Sequence, residues 1–171
     1  MNTSSPQFSK LTQSDVKDFY DTFSEVIRSE FPGYTPKVVE YLLSKIYSRY
    51  AYEYWIRNNL KTVVIAKVNN EIVGFADIDN PYGGVSLLRW LGVKKEHQRA
   101  GIGSKLIKAW EELARTQHAH KMEVAAQPEA KEFYAKMGLK LEGMREKSFF
   151  GINQYIFGKI LSDPSDEGIT K

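Results

Sequence analysis

Residues Gln98-Arg99-Ala100-Gly101-Ile102-Gly103 carry the clearest chemical signal in the chain. They follow an apolar, strand-like run over 85–93. They precede a stretch over 104–115 in which Leu106, Ile107, Trp110 and Leu113 recur at helical spacing. Glycine accepts positive φ and has no side chain in the way, so a loop with two glycines lets backbone N–H groups converge on one point. The helix that follows adds its unpaired first-turn amides and the positive end of its dipole. Such a corner is a seat for an anion, above all a phosphate. Lys94, Lys95, Arg99, Lys105 and Lys108 put positive charge around it.

The elements that must hold this corner follow from periodicity. Residues 11–29 place Val16, Phe19, Tyr20, Phe23, Val26 and Ile27 on one helical face, which Phe31-Pro32-Gly33 ends. A second helical region covers 35–58, with a break near Ser48. The period then changes. Residues 62–68, 71–78 and 85–93 read as strands joined by turns at Asn69-Asn70 and 80–84. A helix over 103–116, a strand over 121–126, a short helix over 128–137 and strands over 139–142 and 149–161 follow. The crossover through the helix makes strands 85–93 and 121–126 parallel, whereas the tightly turned strands are antiparallel. The expectation is an α/β (α+β) single domain over 11–161 with a mixed, mostly antiparallel sheet. Flexible tails are expected over 1–10 and 162–171.

Composition sets bounds on function. A chain of 171 residues with 42% hydrophobic and 26% charged residues suits one globular domain. A net charge of +3, with both signs mixed along every helix, offers no basic stripe for nucleic acid. There is no cysteine, hence no disulfide and no thiol nucleophile. His97, His118 and His120 do not have metal-ligand spacing, so no metal is expected. Residues 1–10 are polar and the apolar runs are of strand length, so the expectation is a cytoplasmic protein without a membrane span.

Three stretches in order define a resemblance. Gln98 to Gly103 fits the pattern (Gln or Arg)-x-x-Gly-x-(Gly or Ala), and the strand end Leu91-Gly92-Val93 stands just before it. The run from Ala130 to Leu139 fits Ala-x-x-Phe-Tyr-x-x-x-Gly-Phe, with Leu139 in place of the last Phe. Together these resemble the GNAT-type N-acetyltransferases, over residues 11–161. The resemblance implies the GNAT fold, a central twisted sheet with a splayed parallel strand pair and helices on both faces. It implies direct transfer of an acetyl group from acetyl-CoA, the co-substrate, to an amine of a small molecule, amino acid derivative or protein. By the same resemblance, Gln98, Arg99, Ala100, Gly101, Ile102, Gly103 and Ser104 hold the pyrophosphate. Leu91, Gly92 and Val93 line the pantetheine arm, the Leu91 N–H polarises the acetyl carbonyl, and Tyr134 is the general acid. Gln127 stands where many relatives have Asn.

The chain departs from the family at the base. Many relatives place a carboxylate four residues before Leu91, but here that position is Leu87, and residues 85–93 contain no carboxylate or histidine. Deprotonating a lysine amine at pH 7 costs about 4.6 kcal/mol, against about 1.4 kcal/mol for an α-amine. A weakly basic amine is therefore the expected acceptor, with Asp77, Asp79 or Glu123 as candidates for a base acting through water. Arg89 shares a strand face with Leu91 and disfavours a polyamine. It either holds an anionic group of the acceptor or pairs with Asp77 or Asp79 across the sheet. Tyr41, Tyr47, Tyr50, Tyr52, Tyr54 and Trp55 crowd the first helices, where the family's acceptor side lies, and Tyr41 and Trp55 are candidate lining residues. The competing readings are a silent acyl-CoA-binding module and a polyamine or lysine acetyltransferase with its base elsewhere. Pairing through the last strands permits a homodimer.

Overall fold

The computed structural model describes residues 5–170, and the remaining residues of the two expected tails lie outside the described residues. Seven strands, β1 (Gln7–Lys10), β2 (Lys61–Val68), β3 (Glu71–Asp79), β4 (Val85–Val93), β5 (Lys121–Ala126), β6 (Lys140–Arg145) and β7 (Gln154–Ile160), form one sheet in the order β1-β2-β3-β4-β5-β7-β6. The helices are α1 (Val16–Glu30), α2 (Pro36–Tyr41), α3 (Arg49–Arg57), α4 (Ile102–Thr116), α5 (Lys131–Lys136) and α6 (Asp166–Ile169). The sheet is mixed. β4 and β5 run parallel, while β1–β2, β5–β7 and β6–β7 are antiparallel. The chain divides into two compact units. One comprises residues through Asp77 with Trp90–Leu106, and the other Ile78–Arg89 with the chain from Ile107 on.

In the first unit, α1 buries Val16, Phe19, Phe23, Val26 and Ile27, the stripe expected from its 3.6-residue period. Phe19 and Phe23 meet Phe75 of β3 at ring-centroid distances of 5.6 and 5.3 Å, and Tyr52 of α3 at 4.8 and 5.2 Å. Each large buried side chain contributes roughly 1.5–3 kcal/mol by leaving water. Thr35 caps α2 by accepting from the Val38 N–H at 3.3 Å, with Pro36 in the first turn. The helical path then widens into a π turn over Leu42–Ile46 and breaks at Ser48, whose Oγ caps α3 through the Ala51 N–H at 3.2 Å. Beneath this core lies a buried ion pair. Lys61 Nζ is 2.7 Å from Asp77 Oδ1, and the Tyr52 hydroxyl donates to Asp77 Oδ2 at 2.7 Å. Their exposure decides the energetics, since the Lys61 and Asp77 side chains are only 8% and 0% accessible.

In the second unit, Trp110 of α4 is fully buried and donates its indole N–H to Ser86 Oγ of β4 at 2.9 Å. The parallel register between β4 and β5 runs from Val85–Lys121 to Leu88–Val124 and ends there, whereas β5 stays paired with β7 to Ala126. All six residues of β6, the last strand in the order, are exposed. Among the described residues, no helix is long and apolar enough to cross a membrane.

The structure corrects several sequence expectations. Gln7–Lys10 is not loose. It is strand β1, registered on Val64–Lys67 of β2, because an edge backbone gains its hydrogen bonds whatever its side chains. The expected C-terminal tail contains α6, whose Ser165 cap accepts from the Gly168 N–H and whose Gly168 leaves no room for a Cβ beside the His118 carbonyl. The strand expected over 149–161 begins only at Gln154. Phe149–Gly151 is a 3₁₀ turn with Phe150 and Gly151 at positive φ, a conformation that apolar patterning does not signal.

Asp77→Ala is expected to lower unfolding free energy by about 3–5 kcal/mol, because it strands the Lys61 ammonium in the core. The triple change Asp77→Leu, Lys61→Met, Tyr52→Phe should recover most of that loss in urea denaturation.

Candidate active site

The corner after β4 is built on missing side chains. A Cβ on Gly92 would lie 2.6 Å from Phe75 Cζ and 2.6 Å from Val26 Cγ1, so only glycine lets α1 and β3 close on the strand end. A Cβ on Gly74 would lie 3.1 Å from the Gly92 carbonyl oxygen and 3.2 Å from Ile102 Cγ2. Ile102, 2% exposed, is thereby plugged beneath the start of α4. The Lys94 N–H donates to the Val73 carbonyl at 2.8 Å and closes β4 on β3.

From this base the loop turns through two left-handed residues, Arg99 at φ 61° and Gly101 at φ 78°. The sequence assigns the positive φ to glycines. Gly103 instead lies inside α4, and Arg99 takes a conformation that costs an L-residue about 1–2 kcal/mol. Strain of this kind concentrates where a site needs it. The first hydrogen bond onto the turn runs from the Lys105 N–H to the Gly101 carbonyl at 3.1 Å. The amides from Arg99 through Ser104 meet no backbone acceptor among the described residues. Gln98 uses its side chain for architecture. Its Nε2 donates to Glu30 Oε2 at 2.7 Å and to the Val93 carbonyl at 3.1 Å, pinning the loop to the end of α1 and to the strand it leaves.

Of the cations expected here, Lys94 is engaged by carboxylates. It lies 2.6 Å from Glu71 and 3.2 Å from Glu25, and the hydrogen bond to Glu71 is the main reason its ammonium pKa is raised. Lys95, Arg99, Lys105 and Lys108 are exposed.

In the second unit, Gln127 precedes a 3₁₀ turn over Pro128–Ala130 and buries its Nε2 without a hydrogen-bond partner. Tyr134 of α5 is buried, edge-on to Phe133 at 5.3 Å and tilted against Phe157 at 6.1 Å. Its hydroxyl has no hydrogen-bond partner among the described residues, and burial pushes the phenol pKa well above its ordinary value. Gln127 Nε2 is thus a donor kept from water with nothing to receive it.

Each candidate base has a cationic partner. Asp77 is held by Lys61, Asp79 pairs with Arg89, and Glu123 lies 3.3 Å from Lys121, which also binds Glu142 at 2.6 Å. Asp77 therefore reaches neither water nor substrate, and Arg89 takes Asp79 rather than Asp77 as its partner. The aromatic residues separate by burial. Tyr52 is core, Tyr41 is 51% exposed on α2, and Trp55 is half-buried with Lys61 Nζ 4.9 Å from its ring centroid. Sequence reasoning passed over Lys61 and Trp90, which no motif marks. Among the described residues, no group of three or more His, Asp or Glu is placed to hold a metal.

Residues 30–154 match the family model for the acetyltransferase (GNAT) domain, so the chain belongs to the GNAT acetyltransferase family. The class is that of acetyl-CoA-dependent N-acetyltransferases. The fold is similar to that of the PaiA N-acetyltransferase from Thermoplasma acidophilum, solved in complex with coenzyme A. The identity is 18% and the TM-score 0.77, over 92% of this chain and 100% of that one. It is also similar to a GNAT-family acetyltransferase from Streptococcus pneumoniae (18% identity, TM-score 0.75, 92% and 100% covered). A third is a ribosomal-protein-alanine N-acetyltransferase from Brucella melitensis (18% identity, TM-score 0.73, 91% and 99% covered). No curated protein matches the chain in sequence.

The raised Tyr134 pKa has a signed consequence for stability. Unfolded, this phenol releases its proton near pH 10, whereas folded it keeps it, so stability is lost as pH rises beyond about 10. Tyr134→Phe should flatten the alkaline fall in unfolding free energy, measured by denaturant titration across that range.

Proposed function

We propose that the amides from Arg99 through Ser104 hold the pyrophosphate of acetyl-CoA, with Arg99 and Lys105 adding positive charge. Leu91 and Val93 offer main-chain hydrogen bonds to the pantetheine arm, and Gln127 supplies its buried amide N–H. The Leu91 N–H polarises the thioester carbonyl, a one-donor oxyanion hole. As the neutral acceptor nitrogen bonds to the carbonyl carbon and the C–S bond breaks, Tyr134 passes its phenol proton to the leaving sulfur, the nitrogen sheds its surplus proton to water, and water returns a proton to the phenolate. A phenol kept from ionising by burial remains a proton donor throughout the neutral range. The observation that carries this reading is the run of unpartnered amides on a loop strained at Arg99.

The acceptor is an α-amine or another weakly basic amine. What supports this is the pairing of Asp77, Asp79 and Glu123 with cations, which leaves none of them to take a proton from a lysine or polyamine. The cost of deprotonation then favours the less basic amine by about 3 kcal/mol. The exposure of β6, including Leu141 at 54% and Met144 at 45%, supports a homodimer through that edge.

Thiol release from acetyl-CoA, followed against a panel of amines, tests the reading. Release with α-amines but not with polyamines is expected. Tyr134→Phe should lower turnover by roughly 10²-fold while calorimetry shows acetyl-CoA affinity little changed. Tight coenzyme A binding without release to any amine would favour the silent module instead.

A further inference from the structure

Two buried tryptophans meet opposite fates. Trp110 Nε1 has an acceptor in Ser86 Oγ, whereas Trp90, 7% exposed, buries its Nε1 with none. An indole N–H only donates, and leaving it dry and unpaired forfeits its hydration. Native cores rarely leave such a group without cause. Trp90 directly precedes Leu91 on β4. Around its ring stand Phe31 at 5.2 Å, Tyr47 at 5.3 Å, Phe23 at 6.0 Å and Tyr34 at 6.1 Å. Phe31 and Tyr34 are half-buried. They flank exposed Pro32 and Gly33 on the turn between α1 and α2, which the Tyr34 N–H closes onto the Phe31 carbonyl at 3.2 Å.

We infer that Trp90 is a specificity-determining donor on the acceptor side. Its Nε1–H binds an uncharged carbonyl oxygen of the amine substrate, such as the amide carbonyl beside an α-amine, once Phe31 or Tyr34 swings outward. This rests on the acetyltransferase reading above. The oxygen is uncharged because the surroundings are aromatic and the nearby ammonium, Lys61, is already bound to Asp77. A carboxylate buried there would lose its hydration without a counter-charge. An amide carbonyl gives up far less and accepts the same hydrogen bond.

Indole ¹⁵N NMR on the full chain tests this independently of activity. Trp55, Trp90 and Trp110 are the chain's three tryptophans, and Trp90→Phe assigns the resonance. In the presence of coenzyme A, phenylalaninamide should move the Trp90 indole proton downfield. Phenethylamine, a more basic amine with the same ring but no carbonyl, should not, at a pH high enough for both amines to be partly neutral. Trp90→Phe should lower kcat/KM for phenylalaninamide about tenfold and change that for phenethylamine less than about twofold. A Trp90 resonance unmoved by the amide, or equal loss on both amines, overturns the inference. Acetyl transfer with Trp90 unmoved rejects this inference and keeps the enzyme. A Trp90 shift with coenzyme A bound but no acetyl transfer rejects the enzyme and keeps the donor.

Discussion

The first unit depends on how closely main chain approaches main chain where β4 ends. Gly92 leaves space for Phe75 and Val26, and Gly74 leaves space for the Gly92 carbonyl and Ile102. A single methyl group at Gly92 would collide with an aromatic ring of the core, which repacks only with strain. α1, β3, β4 and the first turn of α4 are thereby locked at one junction. The strained loop can hold its shape because everything beneath it is close-packed.

Charge is divided between cations held by carboxylates and cations left exposed on the loop and the first turns of α4. Lys61, Lys94, Arg89 and Lys121 each have a carboxylate partner. Arg99, Lys105 and Lys108 remain at the surface near the start of α4. The matched pairs differ in kind. Lys61–Asp77 is dry, so breaking it leaves a stranded charge, whereas Arg89–Asp79 is partly solvated and contributes little to stability.

The strand–loop–helix corner was legible because glycine spacing, the apolar run before it and the helical stripe after it all point the same way. The parallel β4–β5 pair followed from the crossover. Arg89 was legible only as a choice of partners, since residues on neighbouring strands compete until register is known. Strand β1 was illegible because its ladder is made by backbone. Lys61 is marked by no motif, and its burial comes from Asp77 and the aromatic residues of α3 folded over it. Trp90 was not marked at all, because a pattern of hydrophobicity says nothing about where an indole N–H finds its acceptor.

Arg99 also bears on how the chain can be engineered. Position 99 is one of several where stability can be gained, since glycine would relieve its left-handed backbone. The same exchange removes a guanidinium from the rim of the anion seat and loosens the unfolded chain, offsetting part of the gain. A screen for heat resistance alone would be drawn to this position, and would change the corner to which the proposed chemistry is assigned.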